Sequence, residues 1–164
     1  MGNTIFHNPT SGELKLSQVI EEVLKFVKEN PRKSYDLIIG TDSKVNGDKD
    51  EVEFVTAIVI HRLGNGGRYF WHKIKKNKIY NLHQKIYQEV VLSIEFAQKL
   101  LKLLEKKWDN KEANYNLEIH IDVGENGKSR DVIKEVVGMV KGNGFNAQIK
   151  PAAYAASHVA DKYT

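Results

Sequence analysis

Apolar residues recur at Leu16, Val19, Ile20, Val23, Leu24 and Val27, the spacing that lays one stripe along an α-helix. Ser17 is placed to cap this helix and Pro31 to close it, after about ten residues with no predicted element. The next run, Asp36 to Asp42, gathers Leu37, Ile38 and Ile39 and predicts a short strand buried on both faces. Residues 51–63 are rich in Val, Ile and Phe and predict a second strand. Gly64, Asn65, Gly66 and Gly67 make a turn, and residues 68–79 a third strand, so the two form a hairpin. A long helix is predicted over 82–108. Leu117, Ile119, Ile121 and Val123 then alternate with Glu118, His120 and Asp122, the period of a fourth strand. A helix over 129–140, a glycine break, a strand over 147–150 and the start of a helix at Ser157 complete the chain.

This order, three strands and then alternating helices and strands, predicts an α/β fold with a mixed sheet behind an extra N-terminal helix. One domain is expected over 1–164, with 1–31 as the helical extension and 35–164 as the core. Running the long helix as a right-handed crossover sets the fourth strand beside the first. That creates a topological switch point, where open α/β sheets tend to hold ligands. Asp42 and Asp122 fall near the C-terminal ends of those two strands.

Glu89 is the most informative acid. On a helical wheel it lies with Leu82, Ile86 and Leu100, inside the apolar arc, whereas Glu95 falls on the polar side with Gln88, Lys99 and Lys106. A carboxylate aimed at the core needs a cation, a metal or a proton, because an unpaired buried charge is very costly. Asp161 sits one turn into the last predicted helix, where any acid also gains from the helix dipole. Together Asp42, Glu89, Asp122 and Asp161 supply hard oxygen donors from two strands and two helices. Such a set suits two Mg²⁺ or Mn²⁺ ions and phosphodiester hydrolysis, with Asp42 shared between the ions.

Composition narrows the setting. The chain has 164 residues, 41% of them hydrophobic and 28% charged, enough for one ordinary core. It has no cysteine, which removes disulfides and thiolate metal sites. Neither a signal-peptide pattern nor a membrane-length apolar run is present, so a cytoplasmic protein with no membrane partner is expected. The net charge of +4 mildly favours a nucleic-acid partner. Lys73, Lys75, Lys76 and Lys78 cluster on the third strand, as a phosphate contact or as a solvated edge. Nearby Phe70, Trp71 and Tyr80 either stack on bases or fill the core.

Gly40–Thr41–Asp42–Ser43–Lys44, His120–Ile121–Asp122–Val123–Gly124 and the stretch from Lys150 to Thr164 resemble the RNase H-like superfamily. More narrowly the chain resembles its bacterial YkuK-type branch of RNase H-related proteins, over nearly the whole length. The resemblance implies a five-stranded mixed sheet of order 3-2-1-4-5. It also implies acids on the first strand, first core helix, fourth strand and last helix, at positions matched by Asp42, Glu89, Asp122 and Asp161. Nuclease chemistry on RNA, an RNA/DNA hybrid or structured nucleic acid follows as an expectation. The alternative is a non-catalytic nucleic-acid or protein-binding module, since fold alone never fixes activity.

Gly124 and Gly127 precede Lys128 and Ser129, but only two residues separate the glycines where a P-loop needs four. A Walker nucleotide site is therefore rejected, while Lys128 and Ser129 remain candidates for a substrate phosphate. Lys44 and Lys150 are further phosphate candidates. His158 is one turn before Asp161 and is a candidate proton carrier for the leaving group. His120 shares a strand face with Asp122, as a supporting hydrogen-bond partner or as a satisfied core histidine.

Overall fold

The computed structural model describes residues 4–46, 51–77, 81–108, 114–124, 130–150 and 152–153. Its first element corrects the expectation of a loose N-terminus. Strands β1 (Ile5–Asn8) and β2 (Gly12–Lys15) form a hairpin. The Asn8 carboxamide oxygen accepts from the N–H groups of Thr10 (2.9 Å) and Ser11 (2.8 Å), and Gly12 follows at φ 75°. This Asx-type turn closes strands too short to show a period, with Phe6 and Leu14 as their buried apolar pair.

Helix α1 (Leu16–Glu29) buries Val19, Ile20, Val23, Phe26 and Val27. Its cap is Lys15, not Ser17: the Lys15 N–H donates to Gln18 Oε1 at 2.8 Å, and Ser17 lies within the first turn. The chain then runs through β3 (Ser34–Asn46), β4 (Glu51–Arg62) and β5 (Gly67–Lys76), all antiparallel in sequence order. Gly64 and Gly66 supply the positive φ of the β4–β5 turn. Helix α2 (Leu82–Lys107) starts at Asn81, whose side chain accepts from the Gln84 N–H at 2.8 Å. Strand β6 (Asn114–His120), a 3₁₀ turn (Arg130–Val132), α3 (Ile133–Gly142) and β7 (Asn146–Gln148) follow.

The sheet order is β2-β1-β5-β4-β3-β6-β7. Its inner five strands, β5-β4-β3-β6-β7, reproduce the order 3-2-1-4-5, and the N-terminal hairpin widens it to seven. The β3–β6 and β6–β7 pairs are parallel. One sheet face carries Leu37, Ile39, Ile58, Ile60 and Phe70. It shares one core with Ile20 and Val23 of α1, with Leu100 and Leu104 of α2, and with Val136 of α3. Ile38 and Ala57 form a separate cluster with Val59 on the alternate positions.

Two boundaries matter for the site. Strand β3 continues to Asn46, so Asp42 does not close it. Beyond Gly40 the strand pairs only with β4, because β6 ends at His120 opposite Gly40. Strand β6 is shorter than the alternation predicts, although Ile121 still donates to Gln148 O and Lys150 to Val123 O, both at 2.9 Å. The helix predicted from Ser157 lies outside the described residues.

Candidate functional site

Gly40 and His120 form the last parallel pair between β3 and β6. Asp42 and Asp122 each stand two residues past that pair, at the switch point expected from topology. Asp42 is half-buried and lies opposite Val55 of β4. Its neighbours Thr41 and Ser43 reach α2 with their hydroxyls, so pleat alternation puts the Asp42 side chain on the other side of β3.

The α2 side holds a buried polar network. The Thr41 hydroxyl hydrogen-bonds Thr56 Oγ1 (2.9 Å) and Ser93 Oγ (2.8 Å). One turn earlier on α2, Glu89 is only 6% exposed, as its helical phase predicts. Ser43 donates to Glu89 Oε2 at 2.5 Å, a charge-assisted contact at the short end of its range. Sequence pattern alone does not announce this partner. The trace it leaves is Ser43 sharing strand parity with Leu37 and Ile39, both core residues.

Glu89 and Asp122 line the same shallow hollow, with Thr41, Ser93 and His120 in its wall; Asp42 is not in that lining. Lys150 reaches Asp122, Nζ to Oδ1 at 2.6 Å, with the lysine side chain 55% exposed and the aspartate 24%. Gly124 allows this approach, since a Cβ there would meet Lys150 Cβ at 3.3 Å. Lys150 thus touches an acid of the candidate site while more than half of its side chain still meets solvent. Lys44 is exposed and pairs in register with Glu53, on the same strand parity as Asp42.

His120 is buried, and its Nδ1 has no hydrogen-bond partner among the described residues. Its Nε2 is 3.9 Å from Glu118 Oε2. Burial pushes its pKa down to about 4, against a weaker opposing pull from Asp36, so the ring is neutral at neutral pH. It makes no hydrogen bond to Asp122 and is not a satisfied core histidine. Phe70 is a core residue, while half-buried Trp71 stacks with Tyr69 at 5.9 Å between centroids. Lys128, Ser129, His158, Asp161, Lys78 and Tyr80 lie outside the described residues. Among those described, no three His, Asp or Glu side chains stand close enough to hold a metal ion.

The family model described as Ribonuclease H-like matches residues 18–164. The chain belongs to this ribonuclease H-like family. It is also 33% identical to a Bacillus subtilis (strain 168) protein named "Uncharacterized protein YkuK", over 98% of this chain and 96% of that one. No solved structure matches. Within the ribonuclease H-like match lie Asp42, Glu89, Asp122 and Asp161, while β1, β2 and the Leu16 and Ser17 start of α1 precede it.

Proposed function

We propose that this ribonuclease H-like chain is a metal-dependent nuclease that hydrolyses phosphodiester bonds in RNA, an RNA/DNA hybrid or structured nucleic acid. The observation that carries the reading is the shared hollow of Glu89 and Asp122, beside the strand that bears Asp42. The donor types suit a hard divalent cation: carboxylates at Asp42 on β3, Glu89 on α2 and Asp122 just past β6, of which Glu89 and Asp122 share one hollow, with no cysteine thiolate in the chain. In this reading Asp42, Glu89, Asp122 and Asp161 hold Mg²⁺ or Mn²⁺, two ions in the full site. Such ions supply Lewis-acid charge for attack by water and for departure of the leaving oxygen. Ser43 fixes the rotamer of Glu89, and His158 carries a proton to the leaving group. Lys44, Lys128, Ser129 and Lys150 bind phosphate oxygens. The cysteine-free composition goes with a cytoplasmic setting.

One observation favours a second reading, a non-catalytic nucleic-acid-binding module. Lys150 already neutralises Asp122, the role a cation would otherwise take. The two readings separate on a panel of labelled RNA, DNA, hybrid and branched substrates, tested with Mg²⁺, Mn²⁺ or EDTA. Metal-dependent cutting that disappears in Asp42→Asn supports the nuclease. Equal nucleic-acid binding by both proteins, with no cutting by either, supports the module.

A further inference from the structure

A hollow of about 400 Å³ lies where the start of α1 meets the second half of α2. Lys15, Leu16 and Ser17 form one wall; Lys99, Lys102, Leu103 and Lys106 form the other. The α2 residues recur at i, i+3, i+4 and i+7, one helix face. None of the four lysines has an ion pair among the described residues. Lys107, next along α2, is paired with Glu21 of α1 at 3.9 Å, so acids are within reach of this junction but do not serve the hollow.

The charge arrangement runs against ordinary helix preference. A cation stands at the N-terminus of α1, and the first turn of that helix holds no acid. Helix N-termini favour negative charge, so Lys15 and the first-turn N–H groups of α1 add to the same positive field. The α2 dipole favours Lys106 in its last turn, but it accounts for neither Lys15 nor Lys99. Leu16 and Leu103 give the hollow an apolar part between the ammonium groups.

We infer that this hollow binds the phosphate backbone of a nucleic-acid strand, with the sugar or base edge against Leu16 and Leu103. The inference deepens the proposed function and rests on nucleic acid being the partner. It also gives the N-terminal extension a task, since Lys15 to Ser17 complete a surface that α2 alone leaves one-sided. Lys102 is 13 residues beyond Glu89 on α2, roughly 20 Å at the helical rise. The hollow is therefore a separate contact, and it works without the carboxylates.

The test is the salt dependence of binding to labelled 20-nucleotide oligouridylate and oligothymidylate, read by anisotropy in EDTA. Lys15→Gln/Lys102→Gln removes one exposed cation from each wall. If both contact phosphates, the slope of log K against log salt falls by about 1.4 and affinity at 0.1 M salt by about 25-fold. Lys15→Arg/Lys102→Arg should retain the wild-type slope. The control Lys134→Gln/Lys141→Gln removes the same charge from α3 and should leave the slope unchanged. A wild-type slope in the first variant overturns the inference, as does an equal fall in the control. Because binding is read without metal, a chain that binds but never cuts leaves this inference standing while the nuclease reading falls.

Discussion

Ser43 Oγ and Glu89 Oε2 are 2.5 Å apart, joining the strand of the first acid to the helix of the second. Glu89 is buried, and at Oε2 this hydroxyl stands where water would otherwise donate. Removing the hydroxyl takes one donor away from a desolvated carboxylate oxygen. Ser43→Ala should therefore cost about 1–3 kcal/mol. Urea unfolding measures it, and a change in midpoint near zero would show that the contact adds no stability.

Lys150 holds Asp122 at 2.6 Å, but more than half of its side chain meets solvent. Its contribution to stability should stay below about 1 kcal/mol. Its effect on a cation should be larger, since the ammonium group occupies the carboxylate that a metal would use under the proposed function. Lys150→Gln should bind Mn²⁺ several-fold more tightly in calorimetry. Weaker binding in the variant would show that Lys150 supports the cation instead of competing with it.

His72 ties β5 to β1 through Nδ1–H donating to Ile5 O at 2.8 Å, and its ring packs against Phe6 and Phe96. Burial lowers its pKa below the ordinary 6.5; the Ile5 bond opposes this and nearby His7 adds to it. The unfolded chain thus takes up this proton before the folded one. The stabilisation is complete above pH 6.5 and is lost as pH falls toward and through the lowered folded value. The melting temperature should drop as the solution is acidified from neutrality. It should drop less in His72→Gln, and parallel curves would remove His72 as the cause.

Arg62 is buried where β4 ends. Its Nε donates to Tyr35 OH at 3.1 Å, its Nη2 to Phe26 O at 2.9 Å, and its guanidinium lies 4.0 Å from the Phe26 ring centroid. The Tyr35 hydroxyl in turn donates to Asn30 O at 2.7 Å, closing α1. Lysine keeps the charge but lacks the planar fork. Arg62→Lys should cost about 1–3 kcal/mol through the lost hydrogen bonds, read as a lower urea midpoint.

The inner five strands were legible in the sequence because β4 is rich in Val, Ile and Phe and meets β5 across a glycine turn, and because β6 alternates and α2 is long enough to keep its helical period. Glu89 was legible for the same reason, since 26 residues of helix fix its phase against Leu100 and Ile86. The hairpin of β1 and β2 was not, because its four-residue strands rest on an Asn8 turn and carry little apolar pattern beyond Phe6 and Leu14. The extension of β3 past Asp42 was hidden because Ser43 and Lys44 look like a loop until β4 pairs with them. The Lys150–Asp122 contact is a property of the β6–β7 approach, and no local pattern announces such a pair.

The hairpin has a consequence outside the site. A sheet that stopped at β5 would offer ten residues of unsatisfied edge, long enough to recruit a strand from another molecule. With β1 paired to β5 at His7 and Trp71, the described sheet ends instead in β2 and β7, four and three residues long. Glu13 and Lys15 on β2 add charge to an already brief template. By ending the described sheet in short strands, this N-terminal ribbon works against edge-to-edge pairing between copies of the chain, a colloidal effect set far from the carboxylates.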